Sequence, residues 1–315
     1  YTRRQICIRS TFLMSEKTIY VDAHHHLWDL SAVNYPWLME KGVRRFFGDP
    51  APIQKDYLID DFRADIGDLP ISRSVHVQVG AHADHAIRET RWLQAVADER
   101  GSGGMPQAIV AFCDLSAKQA PAQLEEQLTF PNIRGIRQIV GRAADEDRRT
   151  GSGALLENAT WRENLARLPR LGLSFDLQLV PPQLPKVTEI LRDIPELPVA
   201  LCHCGSPWDR SPAGLAFWRE QIDMLARLPN VYCKLSGFGM FDPDWNAARI
   251  RDIVMPVIDA FGPARCMFGS NFPVDKLYRD YRSLWHDYAV LCAGFGAGER
   301  EALLGETARR FYRLS

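Results

Sequence analysis

Residues 21–29 read Val-Asp-Ala-His-His-His-Leu-Trp-Asp, a short apolar entry that leads directly into three histidines. If residues 19–26 form a β-strand, successive side chains face opposite sides, so His24 and His26 share one face and His25 takes the other. Two imidazoles on one face can bind a divalent metal or transfer protons near neutral pH. The stretch lacks the length and the Ser/Gly flanks of an affinity tag. A buried histidine cluster without a chemical role is the alternative interpretation.

Apolar runs with strand character recur along the rest of the chain, and a helical pattern follows each of them. The further predicted strands are residues 74–80, 108–114, 133–140, 173–179, 198–203, 230–236 and 265–271. The predicted helices are residues 85–100, 124–128, 161–171, 184–193, 214–228, 246–261, 279–292 and 299–312. Strict alternation predicts parallel strands, and eight of them predict an α/β fold of the (β/α)8 or TIM-barrel class. A doubly wound open sheet would alternate in the same way, but no GxGxxG motif follows the first strand.

Composition indicates a protein that acts on small molecules. Lys and Arg total 38 against 39 for Asp and Glu, so charge indicates neither a nucleic-acid surface nor a membrane surface. No run approaches the roughly 20 apolar residues of a membrane span. The seven cysteines are odd in number and scattered through apolar runs, which is typical of reduced thiols in a cytoplasmic protein. We therefore expect a cytoplasmic protein with a small-molecule partner, and a homo-oligomer remains open.

The ends of the chain suggest a simple domain plan. Residues 1–13 carry three arginines and no acidic residue, and we expect them to be a disordered extension that precedes a natural start at Met14. Residues 14–315 are expected to form a single barrel domain, since barrels of this class commonly reach such a length undivided. Within it, Cys202-His203-Cys204 looks like a metal cluster, but on a strand the two thiols would face away from the imidazole.

Polar residues collect where the predicted strands end, which is where catalytic residues lie in such barrels. These residues are His24, His26, Arg137, Gln138, Asp176, Gln178, His203, Lys234, Ser236, Ser270 and Asn271. Any one of them could be an ordinary polar strand end, but their concentration predicts a functional site. The long segment of residues 27–57, called the aromatic loop below, is rich in Trp, Tyr and Phe, and its part from Trp28 to Phe47 is expected to wall the pocket.

Five short motifs together resemble the amidohydrolase superfamily. They are Asp22-Ala-His24-x-His26-x-Trp28, Gly135-Ile-Arg137, His203-Cys-Gly205-x-Pro207, Lys234-Leu-Ser-Gly237 and Phe268-Gly-Ser-Asn271-Phe-Pro273. More narrowly, they resemble the lactonase-like branch of amidohydrolase-related family 2, which contains TIM-barrel hydrolases described as metal-dependent, including sugar lactonases and pyrone-dicarboxylate lactonases. The resemblance extends from about residue 19 to residue 314.

The resemblance implies roles for particular residues. His24, His26 and His203 would be catalytic histidines that ligate a divalent metal, zinc first, or position the substrate carbonyl. Arg137 and Lys234 would bind a carboxylate or the developing oxyanion. Trp28 and Gln138 are expected beside them in the substrate-binding set. Such a set suits lactone hydrolysis, which needs activated water, a polarised carbonyl and cationic donors for the oxyanion.

Two positions depart from the family pattern. The eighth strand of the family usually ends in an aspartate that acts as metal ligand or base, and here the matching residue is Asn271, whose amide cannot take a proton from water. Asp275 is the nearest carboxylate that could replace it, unless it is a surface aspartate in a loop. Gln138 stands where the family often has histidine. Both changes remove possible ligands, so a metal-independent enzyme remains open.

These observations predict a hydrolase that opens a lactone of a sugar acid or of a dicarboxylic catabolite, with an anionic substrate. Two alternatives remain. The first is decarboxylation of an aromatic acid, a reaction of relatives in the same superfamily with a similar His-x-His motif. The second is a catalytically silent barrel that binds a small molecule after losing its aspartate.

Overall fold

The computed structural model describes residues 19–315, leaving aside the side chains at positions 144, 145 and 149. Within that range eight parallel strands form one sheet in sequential order, and the predicted (β/α)8 barrel is confirmed. The strands are β1 Tyr20–His25, β2 Ile71–Val77, β3 Ala108–Ala111, β4 Ile133–Ile136, β5 Ser174–Leu177, β6 Val199–Leu201, β7 Val231–Leu235 and β8 Cys266–Phe268. The extension predicted for residues 1–13 lies outside the described residues, and so does Met14.

Helices follow the strands, and the longer ones pack around the outside of the barrel. They are α1 Pro36–Met39, α2 Ile59–Ile66, α3 Ala86–Asp98, α4 Ala120–Gln127, α5 Ala144–Thr150, α6 Ala159–Leu165, α7 Leu184–Arg192, α8 Pro212–Ala226, α9 Phe238–Phe241, α10 Ala247–Phe261, α11 Tyr281–Cys292, α12 Ala297–Glu301 and α13 Thr307–Phe311. The sequence patterns miss α1, α2, α5 and α9, because helices of four to eight residues show too few turns to reveal a period. A π-helical turn, Ala302–Glu306, separates α12 from α13 inside the last predicted helix.

The predicted strands extend beyond the observed ones at their carboxyl ends. Regular pairing stops before Gln78 and Arg137, although Gln78 N still donates to Val110 O and Arg137 N to Ala111 O, each at 2.8 Å. Both residues therefore sit just past the strands, at the rim of the barrel, as the sequence predicts for Arg137. Asp176 and Lys234 instead lie within β5 and β7.

Two backbone hydrogen bonds close the barrel between β1 and the segment that follows β8. Asn271 N donates to His24 O and His26 N donates to Phe272 O, both at 2.7 Å. Gly269 permits this approach, since a Cβ there would lie 2.7 Å from His24 Cβ. The buried Asp22 carboxylate reinforces the closure from the β1 side, because Oδ1 accepts from Ser270 N at 2.8 Å.

The barrel interior is filled by small and branched side chains and by the end of the chain. The apolar cluster there contains Val21, Ala23, Val75, Val77, Ala108, Val110, Ala200, Met267, Ala308, Phe311, Tyr312 and Leu314. The C-terminal residues therefore pack against the inward faces of the strands. The larger apolar core lies between the barrel and its helices, so the strands are buried on both faces.

The structure tests the two expectations about the cysteines. Within residues 19–315 the cysteines are buried free thiols, as expected, and Cys7 lies outside this range. β6 ends at Leu201, and the next residues form a turn in which His203 and Cys204 both have φ of 54°. The argument that strand alternation separates Cys202 and Cys204 from His203 is therefore wrong.

In the part of the chain that the structure describes, no helix is long and apolar enough to cross a membrane.

A buried ion pair lies inside the barrel. Lys234 Nζ donates to Asp176 Oδ2 at 2.5 Å, and Tyr312 OH donates to Asp176 Oδ1 at 2.9 Å. Both partners of the ion pair are fully inaccessible to solvent. A buried charge is tolerated when a partner compensates it, so each of the two residues requires the other.

We predict that Asp176→Leu lowers the free energy of unfolding by about 3–5 kcal/mol, because it leaves the Lys234 charge buried and uncompensated. The double variant Asp176→Leu/Lys234→Met should recover most of that loss, because both charges are then gone. Chemical denaturation of the two variants checks this. A double variant as unstable as the single one would show that the loss comes from packing and not from charge.

Candidate active site

A cavity of about 530 Å³ opens at the carboxyl ends of the strands. One wall comes from the aromatic loop, including Trp28, Trp37 and Phe47. Hydrogen bonds hold two of these rings in place, since Trp28 Nε1 donates to Lys55 O at 2.6 Å and Trp37 Nε1 donates to Val79 O at 2.7 Å. The polar residues of the cavity are Arg45, Gln78, Asp114, Arg137, Gln138, Arg142, Glu146, Gln178, His26, His203 and Asn271, among others.

Three histidines meet beneath this cavity. The ring of His24 lies 5.0 Å from that of His26 and 4.7 Å from that of His203, measured between centroids. His26 and His203 line the cavity, whereas His24 is fully buried behind them. Burial is the main cause that holds the pKa of all three well below the usual histidine value; the charge of Arg137 adds to it for all three, and that of Lys234 for His24 and His203. The three imidazoles are therefore neutral at neutral pH.

His25 takes the opposite face of β1, as strand alternation predicts. Its ring stacks on Phe62 of α2, with 4.1 Å between centroids and an angle of 5° between the planes. Burial, followed by the charge that nearby His76 would carry, lowers the pKa of His25 well below its usual value. His25 is thus a core residue that packs a helix against the barrel.

His203 is placed by the turn after β6 and by the residues that follow β7. Its Nδ1 lies 3.0 Å from Ser236 Oγ, within hydrogen-bond distance. Gly237 leaves room for the ring, because a Cβ at that position would lie 2.5 Å from His203 Nδ1. With Nδ1 held by Ser236, Nε2 is the nitrogen that can act on a bound molecule.

Arg137 projects from the end of β4 into the cavity. Nη1 donates to Gln178 Oε1 at 2.9 Å, and Nη2 donates to Gln78 O. Burial lowers the pKa of Arg137, but a guanidinium stays protonated in proteins. Arg137 Nε is buried and has no hydrogen-bond partner among the described residues. The side chain is therefore a positioned cation with donor capacity left.

Gln138 lies beside Arg137, and its amide binds the protein. Oε1 accepts from Leu115 N and from Trp161 Nε1, both at 3.0 Å. Nε2 donates to Asp114 Oδ1 at 2.9 Å. Gln138 lines the cavity, but its side-chain hydrogen bonds connect the loop after β4 to the loop after β3. Its contact with substrate stays a prediction.

Asn271 and Asp275 lie on the loop after β8. Asn271 lines the cavity with φ of 56°, a left-handed conformation that asparagine tolerates better than most residues. Its Oδ1 lies 3.3 Å from His26 Nε2. Asp275 is buried, so the interpretation as a surface aspartate is wrong, and burial raises its pKa to about 7. Its carboxyl does not line the cavity and accepts instead from Gly239 N at 2.7 Å.

Lys234 sits lower in the barrel than the resemblance implies. The side chain is fully buried against Asp176, and the residue is not part of the cavity wall. Its charge nevertheless lowers the pKa of His24 and His203. The structure therefore gives Lys234 an electrostatic effect on the histidines in place of the direct substrate contact that was expected.

Several residues of the site escape the sequence argument. Gln78 is a polar residue after the apolar run of β2, a signal like the one that identifies Gln178. Met240 on α9 and Leu155 in the 3-10 turn Ser152–Glu157 also reach the cavity, from helices too short to show a period in the sequence. Arg142 and Glu146, which follow β4, also reach it.

The histidines do not fit the zinc site that the resemblance implies. No three His, Cys, Asp or Glu side chains among residues 19–315 are arranged to hold one metal ion. Asn271 supplies no negative charge where an anionic ligand is expected, and the cations of Arg137 and Lys234 lie close by. The arrangement of His24, His26 and His203 therefore gives no support for their role as zinc ligands.

Comparisons with known proteins place these features in context. A family model described as amidohydrolase matches residues 21–314. An uncharacterised protein from Sinorhizobium fredii is 39% identical over 295 residues, which are 93% of this chain and 98% of the relative. An L-fucono-1,5-lactonase from Burkholderia multivorans is 31% identical over 309 residues, which are 93% of this chain and 96% of the relative.

Solved structures show a similar likeness. Two crystal structures of an amidohydrolase from Burkholderia multivorans, one with bound HEPES and one with bound zinc, superpose with TM-scores of 0.79 and 0.78. Both are 28% identical to this chain, and each match covers 94% of this chain and 100% of the other.

The buried histidines predict a dependence of stability on pH. His25 has a lowered pKa in the folded state, whereas an unfolded histidine takes up a proton near pH 6.5. The unfolded state then binds more protons below that pH, so stability falls as the pH drops through and below about 6.5. In His25→Leu, the slope of unfolding free energy against pH should be smaller by up to about 1.4 kcal/mol per pH unit, one proton's worth.

Denaturation at several pH values between 5 and 8 measures this slope. Phe62→Leu is the matched control, because it disturbs the same stacked pair and removes no titratable group. It should lower stability equally at every pH. A slope in His25→Leu equal to that of the wild type would contradict the assignment of a neutral buried imidazole.

Proposed function

Since this chain belongs to the amidohydrolase family, we propose that it is a lactonase, a hydrolase that opens a lactone of a sugar acid or of a dicarboxylic catabolite by water attack on the carbonyl. The observation that carries the proposal is that a neutral imidazole and a fixed guanidinium, those of His203 and Arg137, line the same cavity. The L-fucono-1,5-lactonase that is similar over almost the whole chain supports it.

His203 is the proposed general base. Its pKa lies well below the usual value because of burial first and then the charges of Arg137 and Lys234, so it is free to accept a proton at pH 7. The Ser236 contact orients the ring and leaves Nε2 for the attacking water. The proton taken from that water can then pass to the ring oxygen as the ester bond breaks.

Arg137 is the proposed partner for the negative charge. The carbonyl oxygen becomes an oxyanion when water attacks, and a cation already held by Gln178 needs little rearrangement to stabilise it. The unpartnered Nε supplies a donor that the protein itself does not use. After ring opening the same side chain can pair with the new carboxylate.

The cavity lining supports an anionic substrate with a ring. Three arginines, Arg45, Arg137 and Arg142, line it against two acids, Asp114 and Glu146. The aromatic loop contributes flat apolar faces on which a sugar or pyrone ring can stack. A small anionic lactone matches both features.

Turnover assays test the proposal. The purified chain should hydrolyse members of a panel of sugar-acid and carboxylated lactones, followed by proton release at constant pH. A panel of aromatic carboxylic acids, followed by CO₂ release, is run in parallel. Turnover of the acids alone would replace the proposal with decarboxylation, and ligand-induced stabilisation without turnover would replace it with a binding role.

We predict that His203→Ala lowers kcat by about 100-fold or more, because it removes the neutral imidazole that would take the proton from water. Its fold should remain intact, as judged by thermal unfolding. His25→Ala is the internal control on the other face of β1, and it should affect stability more than rate. Unchanged turnover in His203→Ala would remove it from the mechanism.

We predict that Arg137→Lys lowers kcat by about 10- to 100-fold for neutral and anionic lactones alike, since lysine keeps the charge but loses the planar geometry held by Gln178. Steady-state kinetics on one neutral and one anionic lactone measure it. A rise in KM confined to the anionic lactone would instead mean that Arg137 binds a substrate carboxylate.

A further inference from the structure

The hydrogen bonds of His26 decide where its proton lies. Nδ1 is 2.7 Å from Val77 O, and a carbonyl oxygen can only accept, so Nδ1 carries a hydrogen. Burial, and then the charge of Arg137, disfavours a second proton on the ring. Nε2 therefore presents a lone pair, and whatever faces it has to be a donor.

Asn271 faces that lone pair with an amide. Oδ1 is 3.3 Å from His26 Nε2, which would bring two acceptors together, while Asn271 Nδ2 is buried without a hydrogen-bond partner among the described residues. Turning the amide by 180° exchanges the two atoms without moving anything else. Nδ2 then donates to His26 Nε2, and Oδ1 faces the direction that Nδ2 had faced.

Asp275 stands behind this amide. Burial raises the pKa of the Asp275 carboxyl to about 7, and only an Asn271 N–H directed at that carboxyl would lower the pKa; the turned amide directs its carbonyl there instead. Oδ1 accepts from Gly239 N at 2.7 Å, and Gly239 has to be a glycine because a Cβ there would lie 2.4 Å from that oxygen. Oδ2 is buried with no hydrogen-bond partner among residues 19–315. A hydrogen on Oδ2 would have the turned Asn271 carbonyl as its acceptor.

Building on the proposed function, we propose that Asp275 is a positioning residue that acts as a neutral acid and orients His26 through Asn271. The Asp275 carboxyl donates to Asn271 Oδ1, Asn271 Nδ2 donates to His26 Nε2, and His26 Nδ1 donates to Val77 O. In this series of three hydrogen bonds every donor points in the same direction, from Asp275 towards Val77. It provides partners for Asn271 Nδ2 and Asp275 Oδ2, and it leaves no uncompensated charge in a buried place.

The arrangement has a consequence for catalysis. His26 Nε2 is occupied by the Asn271 amide, so His26 holds the cavity wall in place and His203 is left as the base. The carboxyl group expected at position 271 is supplied four residues later, and it acts through an amide and not on water. Asp275 therefore affects the rate without touching the substrate.

Paired substitutions at Asp275 separate this role from general-base catalysis. Asp275→Asn keeps an acceptor for Gly239 N and a donor for the Asn271 carbonyl, so kcat should stay within about threefold of the wild-type value. Asp275→Ala removes the donor and should lower kcat by about 10- to 100-fold with little change in KM, as is typical when a supporting hydrogen bond is lost. Loss of turnover in Asp275→Asn would overturn the proposal, because it would show that an ionised carboxylate is needed.

A matched control accounts for the loss of a buried carboxyl. Asp242 is also buried, follows α9 and pairs with Arg249 at 2.8 Å, and it has no hydrogen bond to Asn271 or His26 among the described residues. Asp242→Ala should leave kcat unchanged. Thermal unfolding of all variants shows which remain folded, and the near-isosteric Asp275→Asn decides the matter even if Asp275→Ala does not fold.

A substrate-free readout completes the test. In ¹⁵N-histidine-labelled full-length protein, His26 should show a protonated Nδ1 and an unprotonated Nε2, in the wild type and in Asp275→Asn. Asn271→Asp places a carboxylate against Nε2 and should protonate both nitrogens. Loss of one resonance pair in His26→Gln assigns the signals. Two protonated nitrogens in the wild type would overturn the proposal. Should no lactone be hydrolysed, the proposed function fails, while this spectrum still decides the hydrogen-bond chain.

Discussion

The closure of the barrel between β1 and β8 is the constraint on which the rest of the structure depends. The bonds from Asn271 N to His24 O and from His26 N to Phe272 O use the backbone of Asn271 and His26, whose side chains line the cavity. Closing the sheet and assembling the site are therefore one event. Gly269 is required for it, since any Cβ would strike β1. A change that breaks these two hydrogen bonds would separate the site residues of β1 from those that follow β8 before it affected the outer helices.

Burial governs the chemistry that this closure creates. Desolvation is the leading cause that keeps the histidines neutral, and it raises the pKa values of Asp22 to about 6 and of Asp275 to about 7. The same effect makes the pair of Lys234 and Asp176 mutually dependent, and Lys234 in turn acts on the imidazoles above it. The site thus combines neutral bases with fixed cations, a combination that suits proton transfer from water beside a developing oxyanion.

The candidate site shows where sequence reasoning holds and where it ends. The period of two along β1 separates His25 from its neighbours, and the structure places His25 on Phe62 as that period requires. Arg137 and Gln178 stand out as polar residues at the ends of apolar strands, and both reach the cavity. Lys234 obeys the same pattern yet lies below the cavity. The position of a residue along a strand does not determine how deep within the barrel the end of its side chain lies.

The sequence by itself determined the eight strands, their parallel order and the end of the barrel where polar residues gather, because these follow from local periodicity and from the rule that parallel strands need helical connections. Only the tertiary structure decided which polar groups meet. In the structure the Gln138 amide binds residues of neighbouring loops, and Asp275 is buried behind Asn271. His203 lies in a turn, where the sequence predicted the end of a strand. Each outcome depends on contacts between residues far apart in the chain, such as His26 with Asn271, and local sequence patterns do not specify which distant residues come into contact.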